Sequence, residues 1–121
     1  VKFSEKNLFE RITIAATGIW AAFFEEKNFR IQLVCAAIVA VAMVLLRLDR
    51  IEASILLLTM FSVLALELIN SQIERFLDII QPELHAKVKR IKDFSAGAVL
   101  ISVVGSVIIG VIILLPHLLA L

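Results

Sequence analysis

From Phe94 to Leu121 the chain runs for 28 residues whose only non-apolar members are serines, glycines, Pro116 and His117. A helix that spans a bilayer needs about 20 consecutive, mostly apolar residues, so this tract reads as a membrane span. Two further tracts share its character. Leu33 to Leu46 is charge-free over 14 residues and, extended back through Phe29, reaches about 18, with Arg30 and Arg47 at its ends able to snorkel. Ala53 to Leu66 is equally apolar and continues through ELINSQIERFLDII as one helix whose second half carries charge, until Gln81 and Pro82 end it. The 61% hydrophobic content agrees with such a chain, against a usual value of roughly 45–50%. The 121 residues suffice for one domain, expected over 1–121.

Residues 4–28 differ from the spans. Leu8, Phe9, Ile12, Ala15, Ala16, Ile19, Trp20, Phe23 and Phe24 recur at three- and four-residue spacing with Glu5, Lys6, Glu10, Arg11 and Thr13 between them. This is the pattern of an amphipathic helix lying in the membrane interface, with Ser4 as a candidate cap. The expected fold is therefore all-α and integral to the membrane. Three transmembrane helices, at about 29–47, 52–80 and 93–117, follow an amino-terminal amphipathic surface helix at about 4–28.

Five lysines and arginines lie in the first 30 residues, two in the Arg47–Arg50 turn and five between Arg75 and Lys92. By the positive-inside rule the amino terminus and the second connection belong in the cytoplasm, and the first turn and the carboxyl terminus on the other side. A formal charge of +1 gives no surplus of cations for a polyanion, which argues against nucleic acid as a partner. The single cysteine, Cys35, cannot form an intrachain disulfide. The segment VKFSEKNLFERITIAATGIW lacks the arrangement of a cleaved signal peptide.

The chemistry gathers at the charged end of the second span. At about 100° per residue, Glu67, Asn70, Ser71, Glu74 and Asp78 fall near 0°, 300°, 40°, 340° and 20°, on one stripe of one helix. Three carboxylates on a stripe repel, and a carboxylate beside an apolar run is costly unless neutralised, paired or coordinated. A divalent cation would resolve this. Two other clusters are expected at the same depth: Glu25, Glu26, Lys27, Asn28 and Arg30, and Lys92 with Asp93. Acids that hold Mg²⁺ and a cation that neutralises a transferring group suit phosphoryl transfer. Neither a GxxxxGK[ST] loop nor a protein-kinase glycine-rich loop is present. His85 has no second ligand at zinc spacing. Ser95, Ser102, Ser106, Gly97 and Gly105 read as helix-packing positions, and Gly18 as a site of close approach.

Glu67-x-x-Asn70-x-x-x-Glu74-x-x-x-Asp78, followed by Glu83-x-His85 and Lys92-Asp93, resembles the prokaryotic membrane diacylglycerol kinase and undecaprenol kinase family. Gly18, Glu26, Asn28, Phe29 and Arg30 resemble its amino-terminal signature, and the likeness covers roughly residues 9–110. The resemblance implies a Mg²⁺- and ATP-dependent lipid kinase of the bacterial cytoplasmic (inner) membrane. It also implies a homotrimer with active sites between neighbouring subunits on the cytoplasmic side. Glu26 and Glu74 would be metal ligands, Glu67 the general base toward the lipid hydroxyl, and Asn70 its support. Lys92 would meet phosphate, while Asp78, Glu83, His85 and Asp93 would shape the nucleotide region. This sequence departs from some relatives at Gln32, where they are acidic, at Leu84, where an aromatic is usual, and at Trp20, where they are basic.

The expected reaction is phosphorylation of diacylglycerol to phosphatidic acid, with undecaprenol as the alternative acceptor, toward which NFRIQ leans. A small transporter would line a path across the membrane instead of clustering acids at one end. A non-enzymatic assembly protein would not need the three-acid stripe.

Overall fold

The computed structural model of the chain describes residues 7–83 and 85–121. They form four helices: α1 (Leu8–Glu25), α2 (Lys27–Leu45), α3 (Arg50–Ile80) and α4 (Ala86–Leu119). Three of them, α2, α3 and α4, are long and apolar enough to cross a bilayer, and α1 is not among these. The all-α architecture of three spanning helices behind an amino-terminal helix is the one the sequence leads one to expect. The boundaries shift wherever a local cap decides them.

The amino-terminal helix starts at Leu8 because Asn7 Oδ1 accepts the Glu10 N–H at 2.8 Å, satisfying one of the orphan donors of the first turn. Ser4, the expected cap, lies outside the described residues. Nor does this helix run on to residue 28. Glu26 is extended, at φ −112° and ψ 105°, and α2 begins one residue later. Arg30 makes that short break possible by donating from Nη1 to the Phe23 and Phe24 carbonyls, both at 3.0 Å. The carbonyls that end α1 are thereby paired, and the chain is free to change direction.

At the far end of α2, Arg47 N–H donates to Val44 O and Leu48 N–H to Met43 O, each at 3.2 Å. This is the Schellman closure, and it puts Arg47 at φ 54°, the left-handed position normally held by glycine. Asp49 then caps α3 by accepting the Glu52 N–H at 2.8 Å. A side chain in the left-handed region costs about 1–2 kcal/mol, so Arg47→Gly is expected to stabilise the protein by about 1 kcal/mol once the added freedom of the unfolded chain is subtracted. Reversible unfolding of both proteins in mixed micelles measures it; an unchanged or lower midpoint would show that the Arg47 side chain contributes more than its backbone strain removes.

Residues 86–92, read from the sequence as a polar connection, are instead the first turns of α4. Alanine, lysine and arginine are strong helix formers whatever their solvation. His85 Nδ1 caps the new start by accepting the Lys87 N–H at 3.1 Å, and Lys89 pairs with Asp93 one turn on at 2.7 Å.

Within the bundle α3 is central: α4 and α2 both pack against it, and α1 packs on α2. Between α2, α3 and α4 an apolar cavity of about 460 Å³ runs from Gln32 and Leu64 toward Leu56 and Gly110. At the end opposite Glu67, His117 Nε2 meets the Glu52 carboxylate oxygens at 3.1 and 3.2 Å and ties the end of α4 to the start of α3. The expected close approaches at Gly18, Gly97 and Gly105 do not occur within the chain, because an added Cβ there would meet nothing within 4 Å. Ser102 and Ser106 donate to carbonyls of their own helix, at 2.7 and 2.8 Å.

Candidate active site

Among the described residues only nine are buried, and three of these are polar: Glu67 at 4% exposure, Asn70 at 8% and Ser71 at 4%. Buried polar groups are ordinarily few and paired. Here they occupy adjacent positions on one face of α3, where the 3.6-residue repeat stacks i, i+3 and i+4. Ser71 is satisfied by donating to Leu68 O at 2.9 Å. Asn70 Oδ1 is buried without a partner, and so is Gln32 Oε1 from α2.

The Asn28 and Gln32 carboxamides of α2 lie beside the Glu67 carboxylate. The negative charges of Glu74, two turns further along α3, and of Glu26, at the α1–α2 break, also act on it. The structure thus brings together Glu67, Asn70, Glu74 and Glu26, three carboxylates and a carboxamide from two parts of the chain. Counted from Arg50, the roughly 30 Å of a bilayer's hydrocarbon takes up about 20 residues of α3 and ends near Asn70. Glu67 falls just inside that boundary and Glu74 just outside it.

Glu74 has no ion-pair partner among the described residues, whereas Glu26 has a strong one. Arg75 Nη2 lies 2.7 Å from Glu26 Oε1, and Arg75 Nη1 lies 3.2 Å from Glu25 Oε2. Further out, Lys92 pairs with Asp78 and so links α4 to the same stripe of α3. The remaining expected site residues are not drawn to the stripe by any bond among the described residues. Asp93 pairs with Lys89, His85 caps α4, and Glu83 stands exposed in the α3–α4 connection.

As a metal site the arrangement has a definite character. No group of three or more histidine, cysteine, aspartate or glutamate side chains among the described residues is close enough to hold an ion alone. Mg²⁺ is usually held by one or two carboxylates, with phosphate and water completing its octahedron. Glu26 and Glu74 supply two hard oxygen donors of that kind, so the residues present fit Mg²⁺ carried in with a nucleotide.

The sequence model for prokaryotic diacylglycerol kinase matches residues 13–114 of this chain. The chain belongs to that family. It is 38% identical over 116 residues to the diacylglycerol kinase of Synechocystis sp., an alignment that covers 95% of this chain and 66% of that one. Against the undecaprenol kinase of Bacillus subtilis it is 37% identical over 112 residues, covering 93% and 91%. Against the diacylglycerol kinase of Escherichia coli K12 it is 34% identical over 113 residues, covering 90% and 93%. The chain thus spans about two thirds of the Synechocystis relative's length and nine-tenths of the other two.

For this member of the prokaryotic diacylglycerol kinase family, two contacts at the site escape a reading of the sequence. Gln32 is visible there only as a departure from acidic relatives, not as a neighbour of Glu67. Arg75 stands beside the stripe, about 80° round the helix from Glu67, and its partners lie 50 residues away. The one available signal is that Glu25 and Glu26 form a paired negative charge that needs a cation.

Proposed function

We propose that this chain is a single lipid-kinase domain that transfers the γ-phosphoryl group of Mg²⁺-ATP to the primary hydroxyl of a membrane lipid. The observation that supports this most directly is the burial of Glu67 and Asn70 at the hydrocarbon boundary, with Glu26 and Glu74 beside them on the polar side. Glu67 takes the proton of the lipid hydroxyl while that oxygen bonds to the γ-phosphorus and the bond from phosphorus to ADP breaks. Asn70 supports that centre, its Oδ1 buried beside Glu67 with no partner in the chain. Glu26 and Glu74 would hold Mg²⁺, which when bound offsets charge on the phosphate oxygens. Lys92, held by Asp78, meets phosphate, and Asp78, Glu83, His85 and Asp93 shape the nucleotide region.

The acceptor we propose is diacylglycerol, the substrate that the family description and the Synechocystis and Escherichia coli relatives' names carry. One observation favours a second reading, undecaprenol. The cavity that opens from Gln32 offers almost no hydrogen-bond donor, since the Thr59 and Ser106 hydroxyls both donate to backbone carbonyls. Polyprenol hydrocarbon leaves nothing unpaired there, whereas glycerol ester carbonyls find few partners. ATP-dependent phosphorylation of the two lipids side by side in the same micelles decides between them; no phosphorylation of either would remove the kinase reading.

The bacterial inner membrane is the proposed location, with the Glu67 end in the cytoplasm. In a Cys35→Ser background, a cysteine introduced at Ala86 is expected to react with a membrane-impermeant thiol reagent only from the cytoplasm. One placed between Arg47 and Glu52 should react from outside. External labelling at position 86 in intact cells would invert the topology. The proposed assembly is a homotrimer with sites between subunits, supported by the open glycine positions Gly97 and Gly105 on α4. Detergent-corrected light scattering should return three chains, and an active monomer would exclude this.

A further inference from the structure

Arg75 occupies an unusual position for a surface cation. Its guanidinium bridges two adjacent carboxylates that belong to different roles: Glu25, the last residue of α1, and Glu26, the single extended residue between α1 and α2. Two features make this bridge more than an exposed ion pair. The Glu26 side chain is only 20% exposed, and charge pairing strengthens as solvent is removed. The other arginine at this corner, Arg30, is already committed to the Phe23 and Phe24 carbonyls, and Lys27 has no ion-pair partner among the described residues. Arg75 is therefore the cation that neutralises Glu26. Its Nη1 contact with Glu25 also fastens α1 to α3.

The same Glu26 oxygen cannot serve a guanidinium at 2.7 Å and a divalent cation at roughly 2.0–2.1 Å at once. We infer that Arg75 is a positioning residue that exchanges partners: its Nη2 yields Glu26 to the cation while its Nη1 keeps Glu25, so that α1 stays docked. The fork of the guanidinium suits this, since its two arms hold separate partners. A lysine has a single ammonium and cannot keep one carboxylate while releasing the other with the same geometry.

The inference rests on the proposed metal role of Glu26, and the test separates the two. Mn²⁺, as a probe for Mg²⁺, is titrated into the folded protein in detergent micelles that contain a saturating non-hydrolysable ATP analogue, and protein-bound ion is followed by electron paramagnetic resonance. Removing the competing cation in Arg75→Gln should tighten Mn²⁺ binding roughly fivefold, the upper range for a partly exposed pair, while Arg75→Lys falls between. Loss of a purely structural contact has no reason to raise affinity. The emission of Trp20, the only tryptophan, reports on α1 and should respond to Mn²⁺ less in the unaltered protein than in Arg75→Gln, where the Glu25 contact is gone. If Glu26→Gln loses Mn²⁺ binding but Arg75→Gln binds no tighter, partner exchange is wrong and the metal assignment stands. If Glu26→Gln binds Mn²⁺ as well as the unaltered chain, the metal assignment fails and the exchange falls with it.

Discussion

Glu67→Gln should lower turnover by about 10²- to 10⁴-fold, the usual contribution of a positioned general base, with Mg²⁺-ATP affinity nearly unchanged, whereas Glu74→Gln should lower both. The two residues share a face of α3 but are separated by seven positions, or about 10.5 Å along the axis, so one carboxylate cannot attend both ends of the transfer. Glu67 is buried beside Gln32 and Asn28 and stands on the hydrocarbon side. Glu74 lies toward water and has no ion-pair partner among the described residues. Glutamine preserves size and hydrogen bonding in both cases, so the pair of substitutions probes charge and not packing. Calorimetric titration of Mg²⁺-ATP into the two folded variants is the check. Equal loss of binding in both would move Glu67 into the metal site.

Filling the cavity should separate lipid from nucleotide in the opposite sense. Gly110 lines the cavity at the end away from Gln32, and a Cβ built there meets no atom within 4 Å. Gly110→Phe is therefore expected to fold normally, to stabilise α4 through better helix propensity, and to occupy part of the cavity. A lipid chain gains little by leaving the bilayer for another apolar space, so what the cavity would contribute under the proposed function is alignment of the hydroxyl at Glu67. Misplacement by an ångström can cost about 10²-fold. The expected loss is roughly 10-fold or more in kcat/KM for a long-chain lipid, with Mg²⁺-ATP affinity unaltered and short-chain analogues spared. An equal loss for short and long acceptors would show that the cavity holds no part of the substrate.

The spans were legible in the sequence because nothing competes with a charge-free tract of that length, and the Glu67–Asp78 stripe because helical periodicity is a property of the segment alone. What lay hidden depends on contacts between distant segments or on caps. The start of α4 was obscured because a run of lysines and arginines reads as solvated connection, although each is a good helix former and His85 provides the cap. The break at Glu26 needs Arg30 to reach back six and seven residues to the carbonyls of α1, which no periodicity announces. The Arg75 clasp joins residues 50 positions apart. The glycines of α4 illustrate the converse: small residues suggested close packing, but whether a neighbour arrives is decided outside the helix that carries them.

The uninterrupted passage of α3 through the edge of the hydrocarbon has a consequence for the membrane in which the chain works. The helix has 31 residues, about 46 Å, against roughly 30 Å of bilayer core, so the boundary slides along it as bilayer thickness changes. A leaflet pair thicker by about 3 Å would shift that boundary by two residues, drawing the far side of the stripe toward oil; a thinner one would wet Glu67. The reaction should accordingly have an optimum in acyl-chain length, set by the spacing of two carboxylates on one helix and not by affinity for either reactant. Lipid thickness would then tune how fast lipid is made.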